Sequence, residues 1–128
     1  MSDHVPLTDH ESAFIDIFVI GERRDRYRSQ MASRKKRSAF LDRLNHRFLN
    51  DIDRRLVGKS PGHVLPPPSV SCYVIASEDR FDATFVPAEG VESLFAHALF
   101  GMLVSYIPGK LLAYKDESPA EIVWLSHM

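Results

Sequence analysis

The chain has very little cysteine and no long apolar run. Its 128 residues include one cysteine, Cys72, so a disulfide within one molecule is impossible, which favours a reducing compartment. No apolar run approaches the roughly 18 residues that a membrane-spanning helix needs, and no basic amino terminus leads into an apolar core as in a secretory signal. We therefore expect a cytoplasmic protein with no membrane partner.

Glycine is also scarce, and its distribution excludes the common phosphate-binding loops. The six glycines form neither G-x-x-x-x-G-K-[ST] nor G-x-G-x-x-G, the two patterns that cradle nucleotide phosphates. Six histidines are present, but no two have the His-x-x-x-His spacing of a helical metal site, and one cysteine excludes a thiolate-rich zinc site. The sequence therefore predicts no cofactor and no metal, although a site assembled from distant histidines stays open.

The rest of the composition is typical of a folded soluble domain. Hydrophobic residues make up 45% of the chain and charged residues 26%, which is too apolar for a disordered chain. A length of 128 residues fits one domain of about 100–200 residues. We predict a single α+β domain over 1–128, with a helical layer at 1–57, a Pro/Gly linker at 58–69, and a sheet with one helix at 70–128.

The near-neutral net charge conceals a separation of sign along the chain. Lysine and arginine total 16, and aspartate and glutamate total 17. Residues 21–59 hold 13 of the basic residues and five of the acidic ones, a net charge of +8, while the rest carries −9. Because a local patch sets the potential that a partner meets, this separation indicates a polyanion-binding surface. The alternative is that the two halves neutralise each other within the fold, or that the charges are simply solvated.

The first half of the chain carries helical signals. Thr8 and Glu11 have the capping-box spacing that begins a helix, and Gly21 is a natural end for it. A second, mostly charged helix is predicted over 22–31. The third and clearest helix runs from residue 34 to about 49 and, if continuous, to 57. Its apolar residues form one stripe, which we expect to pack on the core: Leu41, Leu44, Phe48, Ile52 and Leu56.

After the linker the apolar pattern alternates, which is typical of strands. The predicted strands are 72–76, 100–107, 110–115 and 121–126. After the first of them we expect a short extended piece at 84–86 and a helix at 87–99. The pair Pro108-Gly109 suits the centre of a type II turn and predicts a hairpin. Strand, helix, strand implies a parallel crossover, and the last three strands imply an antiparallel meander. The expected fold is α+β: an amino-terminal helical layer, followed by a β-α-β-β-β mixed four-stranded sheet covered by its own helix and by the apolar stripe.

The arginine-rich segment is the best functional candidate. The planar arginine fork pairs bidentately with phosphate, and Tyr27 lies where it could stack on a base. A sequence pI near 6.6 and the lack of a known nucleic-acid-binding motif stand against this role. We predict a small non-enzymatic binding or regulatory domain that engages a polyanion, RNA or DNA. On a continuous helix its contacts would form a narrow band: Lys36, Arg43, Arg47 and Arg54.

Two other functions stay open. The same arginines could dock on an acidic protein surface, including that of a second copy of this chain in a homo-oligomer. A small hydrolase is the third possibility, with acid–base groups from an acidic turn, Glu78, Asp79 and Asp82, together with His97. Turns prefer aspartate for local hydrogen bonding, which weakens this interpretation. Cys72 lies in an apolar strand, which favours a core residue over a nucleophile.

Overall fold

A computed structural model describes residues 4–45, 47–61, 64–98, 100–116 and 121–127. It contains both helices and a sheet, which confirms the α+β class. The helices are α1 Asp9–Phe18, α2 Arg24–Met31, α3 Arg37–Asn45 and α4 Val91–His97. The strands are β1 Val57–Gly58, β2 Ser71–Ala76, β3 Thr84–Pro87, β4 Met102–Ile107, β5 Leu111–Lys115 and β6 Val123–Ser126. Within the described ranges, none of the helices has the length and apolar character needed to cross a membrane.

The first helix begins as the sequence predicts. The Thr8 hydroxyl accepts a hydrogen bond from the Glu11 amide at 3.1 Å, and the Glu11 carboxylate accepts one from the Thr8 amide at 2.9 Å. This capping box satisfies amide groups that the first helical turn leaves without partners. α1 then ends at Phe18, because Val19 is extended and forms an isolated bridge with Ile52.

The third helix is shorter than predicted. α3 ends at Asn45, and Arg47 has a left-handed backbone with φ 59°. The chain continues in two 3₁₀ turns, Phe48–Asp51 and Arg54–Leu56. The sheet supplies the physical reason, since the Tyr114 hydroxyl donates a hydrogen bond to the Leu44 carbonyl in the last helical turn. The apolar stripe is still buried along most of its length, so its packing, although not its continuity, follows the prediction.

The sheet has six strands in the described residues, in the order β1-β6-β5-β4-β2-β3. Every neighbouring pair is antiparallel. The predicted four-stranded mixed sheet is therefore wrong in both the number and the direction of its strands. The additional strands are β1, at the end of the predicted helical layer, and β3, each of which has few residues.

The strand β3 explains why no parallel pair forms among these strands. It returns from β2 in a hairpin, with Val86 opposite Cys72 and Thr84 opposite Val74. α4 then links β3 to β4, and these two strands flank β2 on either side. The helix therefore still connects two strands that run in the same direction, as a crossover does, but β2 lies antiparallel between them.

Two apolar layers cover the sheet, one on each face. Tyr73 and Ile75 point toward α1, α2 and α3. Cys72 and Val74 point the other way, toward α4. This is the alternation expected along one strand, and it places the buried stripe of α3 on one face and α4 on the other, as the sequence predicts. The charged sides of α2 and α3 are left toward solvent.

The turn between β4 and β5 contains the predicted proline–glycine pair. The Lys110 amide donates a hydrogen bond to the Ile107 carbonyl at 3.0 Å, which closes the turn. Gly109 has φ +71°, a region that the third position of a type II turn requires and that a Cβ atom disfavours. The hairpin prediction is therefore confirmed.

Candidate nucleic-acid interface

Residues 21–59 run from the 3₁₀ turn before α2, through α2 and α3, to β1 and Lys59. Their apolar side chains enter the core beneath α1, α2 and α3, so many of their charged side chains face water. Eight of the 13 basic residues are exposed: Arg26, Arg34, Lys35, Lys36, Arg47, Arg54, Arg55 and Lys59. The other five are half-buried: Arg23, Arg24, Arg28, Arg37 and Arg43.

The two oppositely charged parts of the chain, residues 21–59 and the rest, neutralise each other only in part through these arginines. Arg28 pairs with Asp16, and Arg37 pairs with Glu11, two acids outside the segment. The other pairs lie within residues 21–59: Arg23 and Arg43 with Asp51, Arg55 with Asp53, and Arg28 with Asp25. Among the segment's arginines, within the described part of the chain, Arg37 alone pairs with an acid from residues 70–128, namely Asp82. The basic surface therefore keeps most of its charge after folding.

The structure separates the four predicted contact residues. Lys36 is exposed in the turn before α3, and it lines a different cavity from Arg43. Arg47 and Arg54 are exposed beyond the end of α3, with no ion pair to any described residue. The narrow band expected on a continuous helix is wrong, because the helix ends at Asn45. The four residues share the helical layer but not one groove.

Asp51 organises the centre of the basic layer. It is only 2% exposed, and its carboxylate accepts hydrogen bonds from the Tyr27 hydroxyl at 2.7 Å and from Arg43 Nε and Nη2 at 2.8 and 3.2 Å. Burial would raise the pKa of Asp51, but hydrogen bonds from Arg43 and Tyr27 and the charge of Arg23 outweigh it and lower the pKa. The ionised carboxylate therefore stabilises the fold at neutral pH, and this contribution is lost as pH falls through its folded-state pKa.

Tyr27 is part of the core and not a stacking platform. Its side chain is 2% exposed and packs edge-on against Phe40. Burial raises the pKa of its phenol, and the hydrogen bond to Asp51 raises it further. The expectation that Tyr27 stacks on a base is therefore wrong, because its ring cannot be reached from solvent.

A cleft of about 220 Å³ opens between α2 and α3 beside this buried carboxylate. Arg26 and Gln30 line it from α2, and Arg43 lines it from α3. Arg26 and Gln30 were not predicted from the sequence as a pair. Their spacing of four residues, which places both on one side of a helix, is the feature of the sequence that could have indicated this pair.

Comparisons with known protein families, with curated protein sequences and with solved structures found no match. The function of this chain therefore has to be inferred from its own residues.

The acidic turn after β2 is anchored to the helical layer through Asp82. Arg37 donates to both oxygens of Asp82, at 2.7 and 3.0 Å, and to the Glu11 carboxylate at 2.9 Å. Glu11 is 2% exposed and also accepts a hydrogen bond from the Tyr73 hydroxyl at 3.0 Å. Burial alone would lower the pKa of Arg37, but hydrogen bonds and charge from Asp82 and then Glu11 raise it. Since its donors are occupied by these acids, Arg37 is a structural link between α1, α3 and the sheet.

The four groups of the proposed hydrolase are not gathered into one site. Asp82 and His97 line different cavities. Glu78 pairs with Arg80 at 3.0 Å, and Nδ1 of His97 donates to the Ser93 carbonyl at 2.8 Å. Asp79 is exposed in the turn. Within the described residues no group of three or more His, Cys, Asp or Glu side chains is placed to hold a metal ion. This arrangement gives hydrolysis no support.

Cys72 is expected to be unreactive in the native protein. Its side chain is fully buried on the α4 side of β2, and burial raises its pKa to about 11, so the reactive thiolate is scarce at neutral pH. We expect no reaction with DTNB in native buffer and complete reaction in urea, measured by absorbance. Prompt labelling of the native protein would contradict the core assignment.

Proposed function

We propose that this chain is a small binding domain that holds RNA or DNA on the basic side of its helical layer. One observation carries the proposal: a set of exposed basic side chains has no ion-pair partner among the residues that the structure describes. These side chains are Arg26, Arg34, Lys36, Arg47, Arg54 and Lys59. Positive charge that folding does not neutralise attracts a polyanion, whose condensed counterions are released on binding.

The packing of the layer favours a nucleic acid over a lipid surface. The apolar sides of α1, α2 and α3 are buried against the sheet, so they are not offered to a membrane, which an interfacial amphipathic helix would require. What remains outside is a charged surface rich in arginine, whose guanidinium groups suit phosphate oxygens. This role needs no single groove, because phosphate contacts can be spread along a strand.

Binding to nucleic acid is expected to weaken steeply with salt. We would measure fluorescence anisotropy of labelled single-stranded RNA, single-stranded DNA and duplex DNA across a KCl series. The logarithm of the affinity should fall linearly with the logarithm of salt, by about 0.7 per phosphate contact for single strands and about 0.9 for duplexes. The triple variant Lys36→Gln/Arg47→Gln/Arg54→Gln should bind more weakly, with a slope lower by roughly one for each phosphate that no longer meets a basic side chain.

Arg80→Gln provides the matched control for this experiment. It removes one exposed positive charge, where the triple variant removes three, so the two losses are compared per removed charge. The charge lies in the turn after β2, where Arg80 pairs with Glu78 and lies over the Phe81 ring. Its affinity should stay close to that of the wild type. If none of the three nucleic acids shows a rise in anisotropy with added protein at low salt, the proposal is refuted. An equal loss of binding free energy per removed charge in Arg80→Gln and in the triple variant would show that overall charge, and not the helical layer, governs binding.

A second candidate function is self-association through opposite charges. Exposed Glu89 and Glu92 line a shallow cavity beside Leu65 on the α4 side of the sheet, opposite the basic layer. A second copy could place its basic layer there. A molar mass that rises with protein concentration at low salt, measured by light scattering, would favour this function. A strictly monomeric mass would exclude it.

A further inference from the structure

The cleft between α2 and α3 has the size and the donors of a phosphate site. Its volume of about 220 Å³ is several times the roughly 30 Å³ that one water occupies in the liquid. Arg26 and Gln30 lie on one side and Arg43 on the other. Tyr27 and Asp51, each 2% exposed, form its buried floor. The cleft therefore has hydrogen-bond donors on both sides, and the hydrogen-bonded pair Tyr27 and Asp51 forms its floor.

Arg43 is held in place before any ligand arrives. Asp51 accepts from its Nε and Nη2, and the Tyr27 hydroxyl fixes the same carboxylate. These contacts leave Nη1, with two N–H donors, without a partner among the described residues. A planar guanidinium that is already oriented loses little freedom when it binds an anion, so more of the contact energy appears as affinity.

Arg23 makes the surroundings of the cleft net positive. The lining itself is neutral, since Arg26 and Arg43 stand against Asp42 and Asp51. Arg23 lies outside the lining and pairs with Asp51, which brings the total to +1. The charge of Asp51 is already countered by Arg43 and by Arg23, whose Nε lies 3.7 Å away. Asp42 is exposed at the rim, where water and salt screen its repulsion.

We propose that this cleft seats one backbone phosphate of a bound nucleic acid, held by Arg26 and by the free edge of Arg43, with the Gln30 amide as a third donor. This site rests on the proposed function and specifies where on the helical layer the nucleic-acid strand is fixed. The exposed basic residues outside the cleft then contact neighbouring phosphates, while the cleft fixes the position of the strand.

Arg26→Gln is the first test, because Arg26 is exposed and makes no ion pair with a described residue, so its loss should not disturb folding. Affinity for a labelled oligouridylate should fall by about tenfold, as expected when a hydrogen bond between charged groups is removed. The matched control is Arg55→Gln, in the same segment but paired with Asp53 at 2.8 Å and outside the cleft. It should weaken binding by about twofold or less.

Asp42→Asn tests the same cleft in the opposite direction. Removing the carboxylate at the rim should tighten oligouridylate binding by about threefold, because it removes one like charge near the phosphate. The control is Asp25→Asn, which removes an exposed carboxylate of α2 that pairs with Arg28. Arg43→Lys, which keeps the charge but lacks the fork, should weaken binding by about tenfold, with its fold checked by urea unfolding.

These measurements separate the cleft from the general proposal. If the wild type binds oligouridylate but Arg26→Gln and Asp42→Asn behave like their controls, the phosphate site is wrong and the proposed function stands. If the wild type binds no oligouridylate, no RNA and no DNA, both fail. A loss in Arg26→Gln together with a gain in Asp42→Asn, each beyond its control, would support the site.

Discussion

Arg37→Met is expected to lower the free energy of unfolding by about 3–5 kcal/mol at neutral pH, the usual cost of leaving a buried charge without its partner. Glu11 and Asp82 would both lose the guanidinium that joins them. This is a large part of the roughly 5–15 kcal/mol that holds a typical domain folded. Urea unfolding followed by the fluorescence of the single tryptophan, Trp124, would measure it.

The matched control is Arg34→Met, three residues earlier. Arg34 is exposed and makes no ion pair with a described residue, so its replacement should change stability by less than about 0.5 kcal/mol. Adding Glu11→Gln and Asp82→Asn to Arg37→Met should recover part of the loss, because the uncompensated charges are then gone. Equal stability of the Arg37→Met and Arg34→Met variants would contradict the role of this link.

Asp51 gives the wild type its pH dependence. Because the pKa of Asp51 is lowered in the folded state, its contribution to the free energy of unfolding is lost as pH falls through that pKa. We expect the same loss in the Arg37→Met variant, because Arg37 makes no contact with Asp51. The difference in free energy of unfolding between variant and wild type, measured at one pH, therefore isolates the Arg37 link.

Patterns within a few neighbouring residues predicted much of the fold. The capping box at Thr8, the alternation across β2 and the Pro108-Gly109 hairpin depend on contacts close in sequence, and each is found in the structure. The buried stripe of the third helix also follows from its spacing, because apolar residues on one face must find a core whatever element carries them. These features need no knowledge of strand order.

Contacts between distant residues could not be predicted in this way. α3 ends where the Tyr114 hydroxyl, 70 residues later in the chain, donates a hydrogen bond to the Leu44 carbonyl. No pattern within the helix predicts that contact. β3 is a strand because β2 offers it an edge, and its four residues are too few for periodicity to decide. One such short strand was enough to change the predicted sheet from mixed to antiparallel.

The candidate site shows the same division. The composition located the basic segment, and the structure leaves much of that segment exposed. The sequence could not show which arginines lack an ion-pair partner. That depends on where the fold places buried Asp51 and Asp82, which is 45 residues from Arg37. Arg43, placed in the predicted band by spacing alone, lies instead at the Asp51 cleft beside Arg26.

Gly101→Ala is expected to cost about 3 kcal/mol or more, at the upper end of what overpacking a core costs. A Cβ at this position would lie 2.3 Å from the Leu44 carbonyl oxygen and 2.8 Å from Oδ1 of Asn45. The same glycine donates its amide to the Asn45 side chain at 2.6 Å. The clash is with backbone at the end of α3, so the helix and the start of β4 would have to move apart.

Gly90→Ala is the control that separates this clash from any general effect of losing glycine. A Cβ there would meet the Pro87 ring at 3.8 Å, an ordinary contact, so the change should be neutral or should stabilise by about 0.4–1 kcal/mol through the unfolded chain. Because α3 carries Arg43, Gly101→Ala should also weaken oligouridylate binding in whatever fraction stays folded. Equal unfolding midpoints for the two alanine variants would mean that α3 does not rest on the sheet at Gly101, and the helical layer would then lack the rigid support on which a fixed phosphate site depends.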